Sequence, residues 1–262
     1  MGLAESGLKR RARRALERQL DYQRRKAARY REREVAAYAL SHSRAVRARI
    51  EAVRPIATRA RVLEVGCGAH GLIFYFGARD GIGVDPLAHH YRQLWPDWQH
   101  RTRTVAAFGE ALPFADASFD LVLCDNVVDH AESPRRILNE IARVLAPGAT
   151  LYFDVNVHHP VYSVAAAVHA GWRALGVPFE IGPFADHTVH LTRAKARGLF
   201  DGLPLRILDE RDDIAEVKRR PPRGIRHAGD RLKRLFFKNA SYEVVAEKER
   251  DALPLRSGAE AA

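Results

Sequence analysis

Apolar and polar positions divide the chain into two unlike regions. Residues 5–53 contain no proline, hold Gly7 as their only glycine and are rich in Ala, Arg and Glu, running up to Pro55. That composition predicts one or two helices. Apolar positions are sparse as far as Arg33, where Leu8, Leu16, Leu20 and Tyr30 make a thin stripe, and dense afterwards at Val35, Tyr38, Leu40, Val46, Ile50 and Val53. The first half therefore reads as a protruding arm and the second as a helix with a face to bury. From Arg61 the pattern becomes short strand-like runs alternating with helical periods. Strands are predicted at 61–65, 81–85, 103–107, 119–125, 149–155, 204–209 and 241–248, and helices at 71–78, 87–95, 134–145 and 192–200. Repeated strand–helix–strand units predict an α/β fold with a parallel sheet.

The stretch "VNVHHPVYSVAAAVHAGWRALGVPFEIGPFADHTVH" (155–190) interrupts this alternation with an Ala-rich segment and loops, the expected cap over the carboxyl edge of the sheet. The organisation expected is a basic helical extension over 1–55, one α/β domain over 56–250 with a cap insertion at 156–191, and a loose tail over 251–262.

Length and composition permit this. The 262 residues, 47% of them hydrophobic, suffice for one large α/β domain with a buried core. Charge changes the picture more. Residues 1–60 hold seventeen Lys and Arg against six Asp and Glu, which accounts for the whole net charge of +11. The arm is thus a candidate surface for a nucleic acid or an acidic membrane, against the plainer reading of a solvated helix. Tyr22, Tyr30 and Tyr38 are the only stacking candidates in it, and no known RNA-binding motif accompanies them. A second basic stretch runs from Lys218 to Lys238. Cys67 and Cys124 make neither a disulfide framework nor a zinc spacing, which suggests a reducing compartment and two small core residues. No apolar run approaches the ~18 residues of a membrane span and none follows the N-terminal charge, so the expected setting is the cytoplasm.

The candidate chemistry begins at "RVLEVGCGAHGLIFYFG" (61–77), in which a strand carrying Glu64 runs into Gly66, Gly68 and Gly71. A GxGxxG after a strand permits positive φ and close approach of a ligand to bare backbone. Asp85, in "GIGVDP", follows Glu64 by 21 residues, near the interval at which an acid meets ribose hydroxyls. Those features suit a nicotinamide dinucleotide or an adenosyl ligand equally. Three others separate them. Glu64 would repel a pyrophosphate but suits an ammonium; Glu110 follows strand 3 in "GEALPFADASFDLVLCDNVVDH"; and "ILNEIARVLAPGATLYFDV" is a helix ended by Pro147–Gly148 and followed at once by a strand.

Together these residues resemble the class I S-adenosylmethionine-dependent methyltransferases, particularly the large small-molecule branch with type 11-like domains, over roughly residues 40–155. The resemblance implies a Rossmann-like, doubly wound, seven-stranded sheet, mostly parallel with an antiparallel last strand, and S-adenosyl-L-methionine as cofactor. It implies that Glu64, Gly66, Cys67 and Gly68 hold the methionyl part, Asp85 and Pro86 the ribose end, and Glu110 with Ala111 the adenine. Asp125 and Asn126 would face the methionine end and the acceptor. The glycine usual directly after GxG is replaced by Ala69 and His70, so the loop is expected to differ in shape.

The acceptor is less legible, because a sulfonium is already an activated methyl donor and the protein's main task is alignment and exclusion of water. A base is required only where the acceptor must lose a proton. His158, His159, His187 and His190 border the expected acceptor pocket and are the candidate bases. His130, after strand 4, is a lesser one, and no metal site is expected. The expected function is methylation of a small-molecule or lipid-linked acceptor at oxygen or nitrogen. The alternatives are an NAD(P)-dependent oxidoreductase and a non-catalytic relative that binds nucleic acid or a partner through its arm.

Overall fold

The computed structural model describes residues 10–162, 191–219 and 236–250. Two long helices, α1 (Arg10–Arg29) and α2 (Glu32–Glu51), precede β1 (Arg61–Val65). Then follow β2 (Asp80–Val84), α3 (Ala88–Leu94), the short α4 (Pro96–Gln99), β3 (Arg103–Val105), β4 (Phe119–Asp125), α5 (Pro134–Val144) and β5 (Leu145–Val157). The described chain closes with α6 (Arg193–Gly198), β6 (Leu205–Asp212), α7 (Ile214–Arg219) and β7 (Ala240–Lys248). The seven strands form one sheet in the order β3-β2-β1-β4-β5-β7-β6, in which β7 alone runs antiparallel to its neighbours. Strand order reverses between β1 and β4, where an open sheet splays its connections apart and leaves a crevice. Among the described residues no helix is long and apolar enough to cross a membrane.

Each face of the sheet has its own core. Leu63, Val122, Phe153 and Val244 pack under α5 through Ile137, Leu138 and Ile141. On the opposite face Val62, Leu121, Leu123, Tyr152 and Val245 are grouped with Ala39, Val46 and Ile50 of α2. Ion pairs fix α2 to the antiparallel edge, Arg49 meeting Asp209 and Glu243, and Arg54 meeting Glu247.

Two expectations are corrected. The helix expected at 71–78 is a single 3-10 turn, Leu72–Phe74, followed by loop up to β2. Leu72, Ile73, Phe74 and Phe76 are all buried, and a helix of 3.6-residue period would have turned some of them to solvent. The freed carbonyls are satisfied by α2: Ser43 Oγ donates to Leu72 O at 3.0 Å and Arg47 Nη1 to Phe76 O at 2.7 Å. Thus α2 covers the face that the missing crossover helix would have covered. The second correction concerns α1, which does not protrude. Leu16, Leu20 and Ala27 pack against the cluster that holds Tyr91 and Trp95, and a side-chain hydrogen bond joins Gln19 to Tyr91. A sparse stripe was enough because it meets a surface already rich in aromatic rings.

The expected cap leaves from His158 and returns at Leu191, whose carbonyl accepts the His158 amide at 2.8 Å. Most of that segment, residues 163–190, lies outside the described residues, as do the tail 251–262 and most of the second basic stretch.

Candidate functional site

At the carboxyl ends of β1 and β2 the chain builds a tight loop around one carboxylate. Gly66 and Gly68 both adopt positive φ, +72° and +53°. The Gly66 and Cys67 amides donate to Val84 O at 2.7 and 3.0 Å, drawing the loop over the end of β2. A Cβ on Gly66 would stand 2.4 Å from Val127 Cγ2, so only glycine allows the two loops to approach. Asp85 is 8% exposed and accepts from the Gly68 amide at 3.0 Å and the Leu87 amide at 2.8 Å. Burial pushes its carboxyl up to about 6, with the two amides opposing that rise.

From this loop a cleft of about 1350 Å³ runs along the switch point. Gly66, Gly68, Asp85 and Pro86 form one wall; Phe108, Gly109 and Glu110 form another, with Asn126, Val127 and His130 at the tip of β4. Glu110 Oε1 accepts from the Glu132 amide at 3.0 Å, tying that wall to the start of α5. Leu16, Gln19 and Tyr22 of α1 line the cleft as well. Its lining mixes apolar residues with charged and polar ones, which suits a ligand that has both polar and apolar parts.

Several expected site residues stand elsewhere. Glu64 is not on the cleft: it lies under the glycine loop, where its two oxygens accept from the Leu72 and Ile73 amides at 2.9 Å each. Gly71 makes that possible, since a Cβ there would come within 2.4 Å of Glu64 Oε2 and of Cys67 O. Burial pushes the Glu64 carboxyl up to about 8 against those two amides. The Cys67 side chain packs under Gly83, whose added Cβ would meet Sγ at 2.7 Å, and burial pushes its thiol well up. Cys124 is likewise buried and its thiol raised. Ala111 gives way to Phe108 and Gly109 as a lining residue. Asp125 turns onto the α2 face and bonds to His42, leaving Asn126 to reach the cleft.

The candidate bases fare unevenly. His158 is 0% exposed, and its Nδ1 accepts the Asn239 amide at 3.2 Å. Its ring is thus buried where the chain leaves β5 for the segment expected as the cap. His159 Nδ1 accepts from the Val161 amide at 3.2 Å, and its ring is set edgewise against Phe236 and Phe237. His187 and His190 lie outside the described residues. Sequence reasoning missed His42, Gln19 and Tyr91. Nothing in the sequence pairs His42 with a residue 83 positions away. Asp120 accepts from the Arg61 amide at 2.9 Å and from its guanidinium at 2.7 and 3.0 Å, joining β1 to β4.

Residues 63–153, the stretch that contains Gly66, Gly68, Asp85, Glu110 and Asn126, match the family described as a methyltransferase domain. Over that stretch the chain is similar to a methyltransferase domain. The chain is 29% identical over 147 residues to the thiol S-methyltransferase TMT1B of Rattus norvegicus, covering 52% of this chain and 60% of that protein. With the human protein of the same name it shares 34% over 134 residues, 48% of this chain and 54% of the other. The ubiquinone biosynthesis O-methyltransferase of Paracidovorax citrulli is 33% identical over 116 residues, 40% and 47% of the two chains. The chain thus spans about half the length of the curated relatives it matches. Among solved structures, geranyl diphosphate methyltransferase with bound SAM superposes with a TM-score of 0.52 at 14% identity, covering 77% of this chain and 85% of that one. The [4+2]-cyclase SpnF gives 0.53 at 17%, covering 78% and 80%. At such identities the likeness is one of fold. The methyltransferase domain so matched excludes α1 and α2, so Gln19, Tyr22 and His42 are additions from outside it.

Proposed function

We propose that the protein transfers a methyl group from S-adenosyl-L-methionine to a small-molecule acceptor. The observation that carries this reading is the Gly66–Gly68–Asp85 loop at the switch point, where a carboxylate fixed by two amides stands beside Gly68, whose backbone no side chain obstructs. Asp85 would accept from the ribose hydroxyls, the backbone of Gly66 and Gly68 would border the methionyl part, and Phe108–Glu110 would flank the adenine. Glu64 would act one layer back, by holding the amides of the turn that follows the loop. When bound, the cofactor supplies a methyl group on a positively charged sulfur. The protein's share is to orient the acceptor and exclude water, for which α1 across the cleft is suited. The relatives named for thiols and for ubiquinone biosynthesis support a small acceptor.

Calorimetry with S-adenosylmethionine, its demethylated product, NADH and NADPH tests the reading. The first two are expected to bind in the micromolar range and the dinucleotides not at all. Binding of a dinucleotide alone would refute it. Asp85→Ala is expected to weaken the cofactor about tenfold to hundredfold, as loss of a hydrogen bond to a charged group worth ~1.5–3 kcal/mol requires.

A further inference from the structure

A second polar cluster adjoins the cleft, at the carboxyl ends of β4, β5 and β7 on the face covered by α2. That face is apolar through Leu121, Leu123, Tyr152 and Val245, and at this edge carries a row of carboxylates. Asp125 pairs in register with Asp154, and Asp154 with Glu243, so three carboxylates stand abreast. Glu64 of β1 lies on the same face, near enough to act electrostatically on His42. Carboxylates so aligned repel one another unless each is answered. Glu243 is answered by Arg211 at 2.7 Å and Arg49 at 3.8 Å, and Asp154 by the Ser241 hydroxyl. Asp125 is answered by His42 of α2, whose Nε2 lies 2.8 Å from Oδ2.

His42 is not core filling. Its side chain is 38% exposed against 17% for Asp125, so the ring runs from the buried carboxylate out to solvent. Tyr38, one turn earlier and 74% exposed, stacks on it at 6.0 Å and 14°, fixing the ring plane. With Nε2 turned to Asp125, Nδ1 has no hydrogen-bond partner among the described residues. An arginine would neutralise Asp125 permanently; a histidine adds an exchangeable proton.

Its position is the second argument. Val65 and Cys124 are register partners at the ends of β1 and β4, and the next residues are Gly66 and Asp125. Gly66 and Asn126 line the cleft, and the His42–Asp125 pair stands directly behind them on the α2 face, Asp125 being the residue beside Gly66 at the strand ends. We propose that His42, oriented by Asp125, is the group that takes the proton from the methyl acceptor, and that the acceptor is a thiol or a phenol-like hydroxyl. This rests on the methyl-transfer reading above. The new bond joins the acceptor's sulfur or oxygen to the methyl carbon. The methyl–sulfonium bond breaks and its electron pair stays on the departing thioether. The acceptor's proton passes to His42 Nδ1, where Asp125 balances the imidazolium. Asp125 is thus a positioning residue.

The Asp125 hydrogen bond raises the His42 pKa most; burial opposes it, and Asp154 and Glu243 add to the rise. Two measurements test the proposal. In the full chain without cofactor, an NMR titration is expected to show one imidazole titrating above the usual ~6.5. It should vanish in His42→Gln and move down in Asp125→Asn. With S-adenosylmethionine, methylation of mercaptoethanol and of catechol is expected to fall ~10²-fold in His42→Gln. The low-pH limb of its rate profile should be lost while calorimetric affinity for the cofactor and the unfolding midpoint are retained. Thiophenol, already ionised, should be methylated by both proteins at similar rates. Failure to bind S-adenosylmethionine would overturn the reading beneath. Cofactor binding with no methylation of either probe, a His42→Gln variant that keeps rate and limb, or a titration unmoved in Asp125→Asn would overturn the dyad.

Discussion

The two ends of the cleft are assembled in different ways. At the β1–β2 end the decisive contacts are local: Glu64 meets amides eight and nine residues on, and Asp85 meets an amide seventeen residues back. At the β4–β5 end they are distant, with His42 and Asp125 separated by 83 positions and Asp154 and Ser241 by 87. The first end lies inside the matched methyltransferase domain, whereas the second depends on α2 and β7 from outside it. The glycine loop is thereby built mainly by contacts close in sequence, and the polar cluster beside it by elements that meet only in the folded chain.

The sharpest way to break this comparison is at Gly66. Gly66→Val would place a branched side chain where a single Cβ already lies 2.4 Å from Val127, on a backbone with φ of +72°. Strain and overpacking together cost ~3 kcal/mol or more, so cofactor affinity is expected to fall at least a hundredfold. The His42 titration, belonging to the other end, should survive in the same variant. If both were lost together, the two ends would be one cooperative unit.

A smaller effect is expected from Glu64 and is read against pH. Burial raises its folded pKa to about 8 from the ordinary 4.5, so between those values the native chain holds a proton that the unfolded chain has released. Stability from this group is therefore fully present below about 4.5 and is lost as pH rises through 8. Urea unfolding across that range should show a downward slope that flattens in Glu64→Gln. An unchanged slope would mean that the carboxylate is ionised in the folded protein.

What was legible in the sequence follows the same division. Strands 119–125 and 61–65 were placed to the residue because their apolar runs are short and bounded, and the positions of Gly66, Gly68, Asp85 and Glu110 on the cleft follow from their places at strand ends. "GLIFYFG" misled for a physical reason. An unbroken apolar run fits a buried helix and a buried loop alike, and only the arrival of Ser43 and Arg47 from α2 decides between them. Glu64 was placed in the right layer and given the wrong neighbour, since no sequence pattern distinguishes a carboxylate that meets a ligand from one that meets the amides of the next turn. His42 left no local trace at all, and His158 shows the converse: a histidine in a suggestive loop that is wholly buried.

The smallest predicted effect asks whether α1 belongs to the donor end in solution. Gln19 and Tyr91 are joined by a side-chain hydrogen bond, and both residues line the cleft. Tyr91→Phe and Gln19→Ala each remove that bond and should weaken the cofactor about twofold to tenfold, the range of one neutral hydrogen bond at ~0.5–1.5 kcal/mol. If the bond exists, the double variant should be no worse than the poorer single one, giving a coupling of ~0.5–1.5 kcal/mol. Strict additivity would mean that the two side chains act separately, and an unchanged affinity in Gln19→Ala would place α1 away from the cleft.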